Sequence, residues 1–178
     1  MVVGIISADS LLNYPDFRSF ERSYQLMLQV SGRAGRKLGQ GKVIIQTSSP
    51  QHHIINQVVK HSYDEMFRTE MMERKNFNYP PYYRLIRITV KHRDKDVMNR
   101  SSQILASYFK HIKNTTVLGP QYPLVARTFN LYQKCITIKT PRTVNLRLVK
   151  DAITQACNTV KTTPDFKSVQ LVIDVDPV

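Results

Sequence analysis

The sequence predicts an α/β protein in two parts, and three observations carry that prediction. Apolar residues alternate at a period of two in some stretches and recur at helical spacing in others, and the two kinds interleave along the chain. The run Tyr79-Pro80-Pro81-Tyr82 removes backbone donors and disfavours helix, which makes it the best place to divide the chain. Before it the order is strand, helix, strand and two further helices; beyond it the order is β-α-β-β-α-β.

Val2–Ser7 reads as a buried strand ending at Asp9, and the stretch around Asn13-Tyr14-Pro15 as a loop. Asp16 is the candidate N-cap of the next helix. Phe20, Tyr24, Met27, Leu28 and Ser31 recur at helical spacing, so Ser19 to about Ser31 is predicted as a helix with one buried stripe. After a turn at Gly39-Gln40-Gly41, Lys42–Thr47 is a short strand rich in β-branched residues. Pro50 suits a first helical position for a helix over 52–60. Ser62-x-x-Glu65 has the form of a capping box for another, Tyr63 to about Phe77. The polar face of that helix (Asp64, Glu65, Arg68, Glu70, Glu73, Arg74) is most simply a solvated, salt-bridged surface.

Beyond the prolines, Ile86, Ile88 and Val90 alternate in a strand. Val97, Ser101, Ile104, Leu105, Tyr108 and Ile112 mark a helix. Val117–Phe129 and Leu131–Lys139 read as two strands joined near Asn130. Val149, Ala152, Ile153, Ala156, Cys157 and Val160 mark a second helix with Thr143 as candidate cap, and Val169–Val175 alternates in a last strand. That order is the ferredoxin-like split βαβ arrangement.

The most informative stretch is Gln29-Val-Ser-Gly32-Arg33-Ala-Gly35-Arg36. Gly32 and Gly35 allow close approach of the backbone to a ligand. Arg33 and Arg36 lie about one helical turn apart if the helix continues. Planar guanidinium groups suit phosphate oxygens. The simpler alternative is a solvated basic helix end that complements the helix dipole. With the arginines between its last strands, the segment 1–48 fits the closing part of a RecA-like lobe. Residues 49–80 then form a helical connector, and 81–178 a C-terminal α/β domain.

The chain carries a net charge of +13, which points to a polyanionic partner. Residues 81–178 hold 16 Lys/Arg and 6 Asp/Glu, so most of the excess lies there. Candidate DNA contacts are Arg84, Arg87, Lys91, Arg127, Lys134 and Lys139, with Arg93 and Arg142 and with Tyr82, Tyr83, Phe129 and Tyr132 interleaved. Cations give salt-dependent affinity for phosphates and exposed aromatics stack on unpaired bases, although core packing is the simpler role for each aromatic alone. The 178 residues contain no apolar run long enough for a membrane span. Met1-Val-Val-Gly-Ile-Ile lacks the basic region of a signal peptide and reads as a strand within a longer protein. Cys135 and Cys157 build neither a zinc knuckle nor a disulfide framework, and two small buried residues are expected. Asp174 and Asp176, two apart, have the look of a metal or acid/base pair, but no third ligand stands by, and turn chemistry before Pro177 is simpler. No metal site is expected. No phosphate loop of the form G-x-x-x-x-G-K-[ST] occurs, so the chain alone is expected to be inactive toward ATP.

The pattern Gln29-x-x-Gly32-Arg33-x-Gly35-Arg36 resembles the sixth motif of superfamily 2 helicases. Flanking stretches sharpen the likeness. With Ala8-Asp-Ser-Leu-Leu-Asn-Tyr-Pro-Asp-Phe-Arg18, Gly41-Lys-Val-Ile-Ile-Gln-Thr47, Tyr79-Pro-Pro-Tyr82, Val117-Leu-Gly-Pro120 and Asp174-Val-Asp-Pro177, nearly the whole chain resembles the C-terminal part of the primosomal protein N′ family, bacterial replication-restart helicases. The resemblance implies that Arg36 is an arginine finger for ATP, that Arg33 makes a second phosphate or interface contact, and that Gln29 and Gly32 adjoin the nucleotide. It implies ATP and Mg²⁺ as cofactors of the full-length protein, with the family's zinc held outside this chain. Forked and single-stranded DNA, single-stranded-DNA-binding protein and other primosome proteins are the implied partners, in a bacterial cytoplasm. The family often shows Arg-x-x-x-x-Tyr-Arg where this chain has Arg127, Tyr132 and Gln133, and Arg18 is a further match. The alternative is a stand-alone nucleic-acid- or protein-binding module with no motor role, its arginines gripping phosphate backbone.

Overall fold

A parallel strand pair in one half and an antiparallel sheet in the other give the expected mixed α/β character. The structure, a computed structural model, describes residues 2–34 and 41–177. It divides into two units, Met1–Phe77 and Asn78–Val178.

In the first unit, β1 (Val2–Ile5) is followed by α1 (Ala8–Leu12), α2 (Ser19–Ala34), β2 (Lys42–Ile45), α3 (His53–Val59) and α4 (Tyr63–Asn76). β1 and β2 run parallel, with Val3 opposite Val43 and Ile5 opposite Ile45. Side chains alternate across a strand, so the odd positions turn inward while Val2 and Ile44 stay exposed. The core gathers Ala8 and Leu12 of α1, Tyr24 and Met27 of α2, Ile54, Ile55 and Val58 of α3, and Met66 of α4. The Asp9 carboxylate accepts from the Thr47 hydroxyl at 2.7 Å and the Ser48 N–H at 2.9 Å, tying the start of α1 to the end of β2. Those two donors hold the carboxyl below its ordinary range.

Several expectations change here. The five-residue α1 occupies what reads as the end of a strand and a loop. α3 starts three residues beyond Pro50, capped by His52, whose Nδ1 accepts from the Ile54 N–H at 3.3 Å. Ser62 makes no side-chain cap bond, so the capping box is not formed, although the helix does begin at Tyr63. The polar face of α4 is not all solvated. Glu70 is buried, and Arg74 reaches across to Glu21 of α2 at 2.7 Å while standing 3.6 Å from Glu70. Arg74 and Arg18 both lie over the Phe17 ring, at 5.3 and 4.8 Å.

In the second unit, β3 (Tyr83–His92), α5 (Lys95–Lys110), β4 (Thr116–Gln121), β5 (Arg127–Thr128), β6 (Leu131–Pro141), α6 (Leu146–Thr162) and β7 (Gln170–Val175) follow in order. The sheet runs β4-β6-β3-β7 with β5 pairing on β6, and every pairing is antiparallel. Ile86 and Ile88 of β3 face Ile138 and Ile136 of β6, and these four pack with Leu105, Phe109, Ile153 and Val160 of the two helices. Asp94 caps α5, accepting from the Asp96 and Val97 N–H groups at 2.7 and 3.0 Å. Asp176 serves as a tie, its carboxylate accepting from the Leu85 N–H at 3.0 Å. Three details differ from the sequence reading. The buried stripe of α5 runs through Met98, Ser101, Ser102, Leu105, Ala106 and Phe109, leaving Ile104 and Tyr108 exposed. The stretch 117–129 is interrupted, because residues 122–126 leave the sheet between β4 and β5. Asn145, not Thr143, caps α6 by accepting from the Arg147 N–H.

Candidate functional site

The first group of expected site residues rides on α2. Ser23 and Tyr24 face the core with Met27, which fixes the rotation of the helix and turns Arg22, Leu26, Gln29 and Arg33 outward along one side. Arg22, Gln25, Leu26 and Gln29 line a shallow groove on that side. Gln29, Gly32 and Arg33 are all exposed, with Arg33 in the last turn, where a cation complements the carbonyl end of the helix. At the opposite end, Glu21 in the first turn is gripped by Arg74 of α4. The helix is therefore clamped at its start and presents its candidate anion-binding side chain at its finish. Arg36, the expected finger, lies outside the described residues. Gly41, where the description resumes, sits so close to the Ala34 carbonyl that a Cβ there would collide with it. Glycine is required at that point by close approach of the backbone.

The second group is spread over the sheet. Arg87 and Lys91 alternate with the buried Ile86, Ile88 and Val90, so they stand on the face turned away from α5 and α6. Thr137 and Gln133 oppose them in register. Lys139 shares that face but is 6% exposed, with its ammonium 3.5 Å from the centre of the Tyr79 ring. Burial lowers the ammonium's pKa from the ordinary lysine value, so Lys139 is a packed residue rather than an open phosphate contact. Arg84 is half-buried and shares the parity of the helix-covered face.

Arg127 and Tyr132 meet across the short hairpin of β5 and β6, as register partners with the guanidinium 4.9 Å above the ring. Lys134 lies 4.8 Å from the Tyr122 ring. A cation held on an aromatic face keeps N–H groups directed at solvent. Gln133 has a structural task. Its amide donates to the Val125 carbonyl at 2.6 Å and to the Thr128 hydroxyl at 3.2 Å, and its backbone N–H donates to the Ala126 carbonyl. It pins the segment between β4 and β5 onto β6.

The structure thus brings Arg127, Tyr132 and Lys134 together on one hairpin, sets Arg87 and Lys91 on the open face of the sheet, packs Lys139 down on that same face, and gives Arg84 the opposite parity. A signal missing from the sequence reading covers Arg127, Lys134 and Lys139, but not Arg84, Arg87 or Lys91. From Val97 to Lys150 there are nine Lys/Arg and no Asp or Glu. Among the described residues, no three His, Cys, Asp or Glu side chains gather into a metal-binding group, and no helix is long and apolar enough to cross a membrane.

A family model described as the primosomal protein N C-terminal domain matches residues 75–178. The chain is 36% identical over 178 residues to the replication restart protein PriA of Synechocystis sp., covering 99% of this chain and 20% of that protein. It is 36% identical to the replication restart protein PriA of Bacillus subtilis over 178 residues, which cover 99% of this chain and 22% of the relative. With the protein of the same name from Thermotoga maritima the identity is 36% over 139 residues, 78% of this chain and 18% of the relative. The chain spans about a fifth of the length of these curated relatives.

Proposed function

This chain belongs to the primosomal protein N C-terminal domain family, and on that footing we propose that it acts in replication restart as the C-terminal part of an ATP-dependent 3′→5′ DNA helicase. The second unit binds forked DNA, and the first completes a RecA-like motor lobe. The observation that carries the proposal is the carboxylate-free stretch from Val97 to Lys150, whose nine cations lie on α5, on the β5–β6 hairpin, on α6 and in the segments between them. A stretch of that charge suits a phosphate backbone, with one of its cations, Arg100, standing in an ion pair 3.6 Å from Asp165. The strand order β4-β6-β3-β7, with α5 and α6 packed on one face, supports reading this unit as a ferredoxin-like split βαβ domain.

The motor reading rests on α2 and its strands. Parallel sheets are normally covered on both faces, whereas β1 and β2 leave Val2 and Ile44 bare, as expected of a fragment of a larger sheet. Bound ATP with Mg²⁺ supplies the phosphoryl group whose transfer drives the motor. The residues of this chain that would hold the nucleotide are Gln29, Gly32, Arg33 and Arg36, with the two guanidinium groups stabilising negative charge on its phosphates. The chain alone is inactive in this reading, because the phosphate loop belongs to the rest of the motor. Single-stranded-DNA-binding protein and other primosome proteins are the proposed partners.

Binding of the 178-residue chain to labelled forked, single-stranded and duplex DNA across a salt series tests the proposal. Micromolar or tighter binding, strongest for forks, with an affinity falling steeply as salt rises, is the expected result. Failure to bind at low salt would sink the DNA-binding role of the second unit.

A further inference from the structure

The apex of the hairpin between β5 and β6 is two residues long, Phe129 and Asn130, and both have positive φ, at 49° and 61°. That geometry belongs to the turn that matches strand twist best, in which Asn and Gly are the favoured residues. Asn130 fits, and its side-chain oxygen accepts from Arg127 at 3.3 Å. Phe129 does not fit. A bulky aromatic at positive φ is a strained choice, and packing gives nothing back, since Phe129 is 96% exposed. Local stability therefore does not account for this residue.

We propose that Phe129 is a stacking platform for an unpaired base, carried at the tip of a hairpin whose cations hold the neighbouring phosphates. The inference rests on the DNA-binding reading above and assigns its single-strand contact. Arg127 lies one residue before the tip strand's end, and Lys134 three residues into β6. Both are backed by tyrosine rings, at 4.9 and 4.8 Å. An exposed ring at the tip, with two such cations behind it on the same hairpin, matches a nucleotide strand, in which flat bases alternate with phosphates. A basic protein surface is disfavoured by the charge, because a stretch with nine cations and no carboxylate offers its lysines and arginines nothing to pair with, and an acidic peptide would meet the cations without supplying a base to the exposed ring. Sequence reasoning places Phe129 among aromatics more simply assigned to a core; its exposure removes that alternative.

Two variants of the full 178-residue chain test the idea without confounding it by misfolding. Phe129→Asn puts the residue favoured by the turn at the apex, so the fold is expected to hold or gain stability. Its affinity for a single-stranded oligonucleotide should fall by about 5- to 150-fold, the range for losing one aromatic–base stack. The salt slope should not change, because no charge is removed. The chain has no tryptophan, so Phe129→Trp supplies a unique fluorophore that a stacked base should quench, more for single strands than for duplex. Unchanged affinity of Phe129→Asn, or a Trp signal unmoved at saturation by anisotropy, overturns the inference while leaving DNA binding intact. A wild-type chain that binds no DNA at any salt overturns both readings.

Discussion

The two units place their candidate phosphate contacts by opposite means. In the first, a single helix carries Gln29, Gly32 and Arg33 on one exposed side, and its far end is clamped by an ion pair from α4. In the second, the cations are distributed over an open sheet face and a hairpin, seated by strand register and by tyrosine rings. The contrast separates two demands on a guanidinium. Stabilising charge at a reacting phosphorus needs one group held to fractions of an ångström. Binding a polyanion needs many groups held loosely, because the gain comes from released counterions and sums over contacts. Charge balance follows the same division: residues 1–80 hold 10 Lys/Arg and 7 Asp/Glu, whereas residues 81–178 hold 16 and 6. Carboxylates in the first unit build clamps, and the second unit has few to spare.

The widest break between the units should come from Arg36→Ala in the full-length protein. ATP turnover should fall by ~10³-fold or more, as for arginine fingers generally, while affinity for forked DNA stays close to that of the parent. Near-normal turnover would remove Arg36 from that role, and a parallel loss of DNA affinity would favour the phosphate-grip alternative. Arg74→Ala comes next. It strips the buried Glu70 and the half-exposed Glu21 of their common partner, and about 3 kcal/mol of stability should go, the low end for breaking a buried pair. Hydrogen exchange should show protection lost in α2 and α4 and kept in β3 and β6; uniform loss would contradict the division into units. The smallest effect is in the pH dependence. Burial raises the Glu70 pKa above the ordinary 4.5, against the pull of Arg74. The folded chain then holds that proton more tightly than the unfolded one. The resulting stabilisation is complete below the unfolded value and is lost as pH rises through the higher folded value. Glu70→Gln should flatten that fall in a series of denaturant titrations at stepped pH; an unaltered slope would locate it elsewhere.

Much of this was legible in the residues, for physical reasons that also mark where legibility stopped. Helices of four turns repeat their apolar stripe often enough to be read, so α2 and α6 appear with nearly the right faces. The stripe of α5 shares Ser101 and Leu105 with the predicted one but turns toward Ser102 rather than Ile104, a polar residue that can be buried because its hydroxyl donates to the Asn99 carbonyl three residues back. α1, barely more than one turn, gives no period to read. Capping motifs state an opportunity only: Ser62 stands before its helix without a side-chain bond to it, and Asn145 rather than Thr143 caps α6. The burial of Glu70 and the exposure of Phe129 both reverse what residue type favours. Each depends on neighbours distant in sequence or, at the apex, on there being none.

The position of β3 has a consequence for how the second unit comes into being. This strand is the first of the sheet to be synthesised, yet it lies between two that come much later: Ile88 pairs with Ile136 on one side and with Ile173 on the other. A nascent chain must carry an apolar strand with both edges unsatisfied while α5, the β5–β6 hairpin and α6 are still being made. Local structure offers an early foothold at that hairpin, but the central pairings are long-range, and closing such loops makes assembly slow relative to helix formation. The sheet's middle is laid down first and completed last.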